Sequence, residues 1–178
     1  MLKSDRICLR TVRRKDLDTL YELMCDVENR GPHYPVNIES ETSFQERFSK
    51  DGLWSAEYGM MVIADRKSSR IMGTVIHFKP VRYYEAFEIG YIIYDPKDRG
   101  KGIACEAVNM FVKYLFSLRH FERIQIQVEP QNLASKKVAK KCGFTYEGTA
   151  RKAFFSCGQA VDIEIHSLLR GEFEKLNR

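Results

Sequence analysis

The order of hydrophobic and polar positions predicts that the first half of the chain is rich in strands. Apolar side chains alternate with polar ones over Ile7–Thr11, which predicts a short strand, and helical spacing follows over residues 15–27. A second amphipathic helix is expected from about Ser40 to Phe48. Two β-rich segments, Tyr58–Ala64 and Ile71–Phe78, flank a polar turn and indicate a hairpin.

The second half alternates helices with strands. A third strand, Ala86–Tyr94, completes an antiparallel meander, because three strands follow one another without a helix between them. The elements expected after it are a helix from Ala104 to about His120, a strand over Ile124–Val128, a helix over Leu133–Cys142 and closing strands over residues 144–149 and 161–169. This order predicts a mixed α/β sheet, and residues 1–178 are expected to form one domain.

The composition argues against several classes of protein. The 178 residues are 44% hydrophobic and 30% charged, which is the balance of a folded globule. No apolar run approaches the roughly 20 residues that span a bilayer, and residues 1–14 lack the apolar centre of a secretion signal. The net charge of +5 is spread along the chain. We therefore expect a cytoplasmic protein without a membrane or nucleic-acid partner.

The cysteines and histidines show no metal-ligand spacing. The five cysteines are odd in number and form no CxxC pair, and the four histidines form no HxxxH pair. We expect neither a disulfide framework nor a bound metal.

Residues 95–104, with the sequence DPKDRGKGIA, join a predicted strand to a predicted helix. The first N–H groups of a helix lack intrahelical partners, so this position suits an anion such as a diphosphate. Gly100 and Gly102 remove β-carbons that would keep a phosphate away, while Arg99 and Lys101 add positive charge. The alternative is a helix entry in which the glycines serve only the turn. Nucleoside-triphosphate and dinucleotide glycine motifs fit poorly.

Motifs further along the chain favour the diphosphate-binding interpretation of this loop. Arg99, Gly102 and Ala104 match the pattern [QR]xxGx[GA]. Further along stand Asn132-x-x-Ser135, the run KCGFTYEG at residues 141–148, and the pair Gly158 and Asp162. In this order the chain resembles the GNAT superfamily of N-acetyltransferases. Within that superfamily it is similar to the RimJ/RimL-like branch of ribosomal-protein N-terminal acetyltransferases and spermidine acetyltransferases.

The resemblance implies a GNAT fold, with a mixed sheet of about seven strands and about four helices. The fourth and fifth strands would splay apart, and the pantetheine arm of acetyl-CoA, the co-substrate, would lie in the gap. The residues that would bind it through their backbones are Ile92, Ile93 and Tyr94 along the arm and Arg99, Gly100, Lys101, Gly102, Ile103 and Ala104 at the diphosphate.

The resemblance also implies direct attack of a primary amine on the thioester. Asn132 and Ser135 would both contact the cofactor at the catalytic centre, and Ser135 would protonate the leaving thiolate, because the tyrosine used by many members falls at Ala139. The glutamate base of Rim-type enzymes aligns with Phe154. Glu88 matches a glutamate that other members place beside the amine, although a solvent-facing strand charge is an equal alternative. Weaker candidates for the base are Glu147, His33 and His77.

The acceptor remains open at this point. The residues expected to bind it are His33 and Tyr34 in the loop of residues 29–37, together with the aromatic side chains of Trp54, Tyr84 and Phe154. A protein N-terminal α-amine, a polyamine and an amino sugar are all compatible with the motifs. The rival function is a non-catalytic module that binds or senses acyl-CoA, because Phe154 stands where the glutamate base is expected. Dimers are common among similar proteins, so the resemblance also includes a homodimer among the expectations.

Overall fold

The computed structural model describes residues 1–33, 38–81, 85–118, 120–156 and 158–176. Its strands are β1 (Leu2–Lys3), β2 (Ile7–Thr11), β3 (Tyr58–Asp65), β4 (Ile71–Phe78), β5 (Ala86–Ile93), β6 (Arg123–Val128), β7 (Thr145–Ser156) and β8 (Gln159–Leu169). Its α-helices are α1 (Leu17–Cys25), α2 (Val27–Arg30), α3 (Glu41–Asp51), α4 (Ile103–Leu118), α5 (Leu133–Lys141) and α6 (Arg170–Leu176).

The strands form one mixed sheet in the order β1-β2-β3-β4-β5-β6-β8-β7. β5 and β6 pair in parallel, and the other described ladders are antiparallel. The predicted mixed sheet and its antiparallel meander, β3 to β5, are confirmed. The eighth strand is β1, a two-residue segment too short to show a hydrophobic period.

Two helices lie outside the expected set. The helix predicted over residues 15–27 ends at Cys25, because Asp26 adopts extended backbone angles before α2 begins at Val27. α6 follows β8 directly. None of its residues is buried, so no helical spacing of apolar positions predicted it from the sequence. The closing hairpin is longer than predicted, since register shifts at residues 146–148 and 150–154 break the alternation of β7.

Hydrophobic side chains fill both faces of the sheet. One face packs against α4, whose buried residues recur at helical spacing: Ile103, Ala107, Val108, Phe111, Val112, Leu115 and Phe116. The other face packs against α1 and α3 through Leu20 and Phe44. Gly73 permits close packing at the centre, since a β-carbon there would lie 2.1 Å from the carbonyl oxygen of Ile92. Burial on both sides makes the central strands a rigid base for the site.

From the sequence we also expected no disulfide framework, no bound metal and no membrane-spanning segment. Cys8, Cys25, Cys105 and Cys142 are free thiols. Across the described residues, no group of three or more His, Cys, Asp or Glu side chains is arranged to hold a metal ion. In the same part of the chain, no helix combines the length and the hydropathy needed to cross a membrane.

Candidate active site

β5 and β6 pair over only three residues each and then separate. Ala86 to Glu88 stand opposite residues 123 to 125. Beyond that point β5 stays paired with β4 as far as Ile93, and β6 stays paired with β8 as far as Val128. The strands leave a gap that opens toward their carboxyl ends, where α4 and α5 begin. The predicted splay is therefore present, between the fifth and sixth strands of this chain because β1 adds one to the count.

The loop at the open end of the gap, residues 99–104, presents main-chain donors; we call it the anion loop. Gly100 and Gly102 have φ angles of 75° and 81°, a left-handed conformation that favours glycine. The backbone N–H groups of Gly100, Lys101, Gly102, Ile103 and Ala104 have no hydrogen-bond acceptor among the described residues. Consecutive unpartnered donors at the start of a 16-residue helix fit an anionic diphosphate.

Arg99 supports the anion loop from within. Its Nε donates to the carbonyl oxygen of Ile93 and its Nη2 to that of Tyr94, both at 2.9 Å. Its own backbone N–H donates to Pro96 O at 3.1 Å. The expectation that the Arg99 amide faces the diphosphate is therefore wrong, and the guanidinium anchors the loop to the end of β5.

Arg6 supports the same loop from a distant part of the sequence. Its Nη1 donates to the carbonyl oxygen of Lys101 at 2.9 Å, and its Nη2 forms an ion pair with Glu106 in the first turn of α4. Asp98, buried beneath the loop, is paired with Arg70 at 2.7 Å. Both carboxylates near the donors are thus neutralised. Sequence reasoning missed Arg6, because 95 residues separate it from its partner in the loop.

The backbone of β5 alternates between facing β4 and facing the gap. Tyr94 N–H donates to Met72 O at 3.0 Å, so Tyr94 and, two residues earlier, Ile92 direct their N–H groups toward β4. The Tyr94 carbonyl oxygen already accepts from Arg99 Nη2. The expectation that Ile92 and Tyr94 offer backbone groups to the pantetheine arm is wrong for this reason. Ile93 and Tyr91 face the gap, and the Ile93 carbonyl is already bonded to Arg99.

The first turn of α5 brings Asn132 and Ser135 to the other side of the gap. Asn132 is the N-cap, and its Oδ1 accepts from the backbone N–H of Ser135 at 3.0 Å. The Ser135 hydroxyl lies 2.7 Å from the hydroxyl of Tyr91, which reaches across from β5. The sequence singled out Ser135 but not Tyr91.

Glu88 lies at the point where β5 and β6 part. It is only 8% exposed, so the alternative of a solvent-facing strand charge is wrong. Its Oε2 accepts from Gln125 Nε2 at 2.8 Å, across the last paired position of the two strands. Burial raises the pKa of the Glu88 carboxyl above its ordinary value, despite that hydrogen bond. A carboxylate with a raised pKa is a better proton acceptor near neutral pH.

Comparison with known proteins identifies the family. The model of the acetyltransferase (GNAT) domain matches residues 6–145. The chain belongs to the GNAT acetyltransferase family. A Bacillus subtilis protein named Probable N-acetyltransferase YjcK is 37% identical over 136 residues, which are 75% of this chain and 71% of that protein. The chain is an N-acetyltransferase that uses acetyl-CoA as its acetyl donor.

Solved GNAT structures share its fold. The spermidine N-acetyltransferase from Vibrio cholerae in complex with CoA and spermine superimposes with a TM-score of 0.82 at 22% identity, covering 96% of this chain and 99% of that one. The ribosomal-protein-S5-alanine acetyltransferase from Vibrio fischeri gives a TM-score of 0.82 at 24% identity, with 97% of each chain covered. At these identities the likeness shows the fold of this acetyltransferase.

The weaker candidates for the base have other surroundings. Two hydrogen bonds of 2.6 Å from Arg123 hold the pKa of Glu147 down at about 2, so this carboxylate is a poor proton acceptor. His77 is buried among aromatic rings, with its ring centre 5.2 Å from that of Trp54 and 4.8 Å from that of Phe87. His33 pairs through Nδ1 with Glu129 Oε2 at 2.8 Å, just beyond the end of β6.

The expected acceptor residues are dispersed. Trp54 packs against His77, Phe111 and Tyr114 on the α4 face of the sheet, which are the contacts of a core residue. Phe154 is 38% exposed on the edge strand β7, opposite Val161. His33 remains close to the end of the gap through its pairing with Glu129. The predictions for Tyr34 and Tyr84 lie outside the described residues.

Proposed function

We propose that this acetyltransferase transfers the acetyl group to a primary amine by direct attack, with the diphosphate of acetyl-CoA on the anion loop and the pantetheine arm in the gap. The observation that supports this most is the series of unpartnered N–H groups from Gly100 to Ala104 at the open end of the gap. Along the gap, the N–H of Ile93 and the backbone of Tyr91 provide further polar groups for hydrogen bonds with the pantetheine arm. Asn132 caps the helix that borders the arm.

Glu88 is the proposed general base. An amine reaches the enzyme largely as an ammonium ion, whose pKa is about 8 for a protein N-terminus. Glu88 accepts a proton from it, directly or through water, and the free amine attacks the thioester carbonyl carbon. The burial of Glu88 supports this role, because a carboxylate that is poorly solvated binds a proton more readily than an exposed one.

Ser135 is the proposed acid. When the tetrahedral intermediate collapses, the carbon–sulfur bond breaks and its electron pair stays on sulfur, which takes the Ser135 hydroxyl proton. The second proton of the attacking nitrogen is released to water as the amide forms. Ser135 then regains a proton from water, and Glu88 returns its proton to water. The position of Ser135 in the first turn of α5, opposite Tyr91 across the gap, supports this role.

The acceptor class we propose is a primary amine, either a protein N-terminal α-amine or a small molecule. One solved relative is a spermidine N-acetyltransferase in complex with CoA and spermine, and another is a ribosomal-protein-S5-alanine acetyltransferase, so both classes of amine belong in the test. His33 and Phe154 are the proposed acceptor-binding residues among those described, and Tyr34 and Tyr84 stay predictions. A homodimer and a cytoplasmic location also stay predictions.

The test is acetyl transfer measured as release of free CoA thiol. Acetyl-CoA is incubated with the wild-type protein and a panel of peptides with free N-termini, spermidine, spermine and amino sugars. We expect at least one amine to accelerate thiol release above the rate of hydrolysis, and mass spectrometry to find that amine heavier by one acetyl group. Tight CoA binding with no transfer to any member of the panel would instead favour the non-catalytic sensing module.

Ser135→Ala and Glu88→Gln separate the proposed roles. Both variants should bind CoA as the wild type does, because neither side chain belongs to the anion loop. Both should transfer acetyl more slowly, by a factor on the order of a hundred for loss of an acid or a base. A Ser135→Ala variant at the wild-type rate would reassign the proton donor.

A further inference from the structure

Tyr91 connects the two sides of the gap. It lies on β5, and its hydroxyl reaches Ser135 in α5, 44 residues later in the chain. The distance of 2.7 Å between the two hydroxyl oxygens is that of a well-formed O–H···O hydrogen bond. The distance of 3.4 Å from the same Tyr91 oxygen to the Ser135 carbonyl oxygen is long. The hydroxyl of Ser135 is therefore the main partner of Tyr91.

The direction of this hydrogen bond matters for the reaction. A serine hydroxyl has one proton to donate and two lone pairs with which to accept. Ser135 can direct its proton at the departing sulfur only if its oxygen accepts, rather than donates, in the contact with Tyr91. Within the part of the chain that the structure describes, Tyr91 is the side chain that hydrogen bonds to this hydroxyl.

We propose that Tyr91 is a positioning residue, which donates its hydroxyl proton to Ser135 Oγ and thereby aims the Ser135 O–H at the leaving thiolate. This inference rests on the proposed role of Ser135 as the acid. Tyr91 itself keeps its proton throughout. Its contribution is to orient the serine and, because linked hydrogen bonds polarise one another, to make the serine a better donor.

The surroundings of Tyr91 suit a permanent donor. Its ring packs against the hydrophobic core on the α4 face of the sheet. Burial raises the pKa of its hydroxyl above the ordinary value of a tyrosine, so the hydroxyl is neutral over the whole range in which the enzyme would be assayed. A tyrosine that ionised would become an acceptor and turn the Ser135 proton toward itself.

The test combines Tyr91→Phe, Ser135→Ala and the double variant. Tyr91→Phe removes the hydroxyl and keeps the ring, so the packing is preserved. We expect kcat with acetyl-CoA and the fastest amine of the panel to fall about tenfold in Tyr91→Phe, the size of one lost hydrogen bond to a reacting group. The KM for acetyl-CoA and the affinity for CoA in calorimetry should change less than twofold.

The double variant distinguishes positioning from a merely structural role. If Tyr91 acts through Ser135, adding Tyr91→Phe to Ser135→Ala should lower kcat by less than about twofold, because the two side chains form one unit. Tyr146→Phe is the matched control, since the Tyr146 hydroxyl is bonded to Thr149 at 2.8 Å on the exposed β7 strand. Its kcat should equal that of the wild type.

The outcomes separate this inference from the proposed function. If the wild type transfers acetyl and Ser135→Ala is slow, but Tyr91→Phe matches the wild type, the inference about Tyr91 fails alone. It also fails if Tyr91→Phe lowers kcat as strongly in the Ser135→Ala background as in the wild type, since Tyr91 would then act independently of Ser135. A wild type that acetylates no amine, or a Ser135→Ala variant at full rate, overturns the inference together with the proposal beneath it.

Discussion

The anion loop and the gap behind it use different parts of the chain. The loop binds with its backbone: five consecutive N–H groups are unpartnered among the described residues, and the nearby side chains Arg99 and Arg6 serve to hold the loop in shape. The gap relies on side chains instead. Glu88, Tyr91 and Ser135 come from two elements, and each already has a hydrogen-bond partner.

This difference indicates which site tolerates substitution. Backbone donors are insensitive to most side-chain changes but are blocked by a β-carbon at a glycine with positive φ. Side-chain groups can each be removed with little change to the fold, but their loss affects turnover directly. We therefore expect cofactor affinity and kcat to respond to separate sets of variants.

The largest effect is expected from Gly102→Glu. At a φ of 81° the new side chain is strained, and its carboxylate would stand where the diphosphate binds. CoA affinity in calorimetry should fall more than a hundredfold. Gly52→Glu is the matched control, because Gly52 also has a positive φ, 69°, and open space around it at the end of α3. Both variants should lose about 1 kcal/mol of stability, but Gly52→Glu should bind CoA normally.

Glu88→Gln should have the next largest effect, and on kcat alone. We expect kcat to fall on the order of a hundredfold with unchanged CoA affinity. In the wild type, the raised pKa of Glu88 means that ionisation opposes folding, so its protonated form is the more stabilising one and that stability is lost as pH rises through the folded-state pKa. The neutral amide should therefore leave the melting temperature at pH 8 equal or higher. A lower melting temperature would argue for a structural role.

The wild-type pH profile should reflect the same group. If Glu88 is the base, kcat/KM should rise with pH along a limb whose midpoint lies above the ordinary glutamate value. That limb should be absent in Glu88→Gln. Its persistence in the variant would assign the limb to another group, with His33 beside Glu129 as the first to test.

Arg6→Ala should weaken the anion loop moderately. The substitution frees the Lys101 carbonyl and leaves Glu106 uncompensated in the first turn of α4, close to the bound diphosphate. We expect CoA affinity to fall about fivefold at low salt, which is about 1 kcal/mol. The double variant Arg6→Ala, Glu106→Ala should regain part of that loss. No recovery would mean that Arg6 contacts the cofactor itself.

The smallest effect is expected from Glu147→Gln. The pKa of about 2, held down by Arg123, means that Glu147 stabilises the fold above pH 4.5 and loses that contribution as pH falls through 2. The side chain is 40% exposed, so the loss at pH 7 should be only about 0.5 kcal/mol in urea unfolding. A loss of kcat on the scale of Glu88→Gln would instead make Glu147 the base.

The sequence predicts the backbone site better than the side-chain site for a physical reason. A glycine pair before a helix and an asparagine N-cap are local patterns, so the anion loop and the start of α5 follow from neighbouring residues. Tyr91 meets Ser135, and Arg6 meets Lys101, only through the tertiary fold. Alternation showed that Glu88 faces away from Phe87 and Ile89, but it could not show that Gln125 covers it.

A crystal structure with CoA bound tests the central claim most directly. The account predicts that the diphosphate oxygens accept hydrogen bonds from the backbone N–H groups of Gly100 to Ala104, that the pantetheine arm lies between β5 and β6, and that the sulfur ends beside Ser135. A diphosphate held elsewhere on the chain, with those N–H groups still unpartnered, would contradict it.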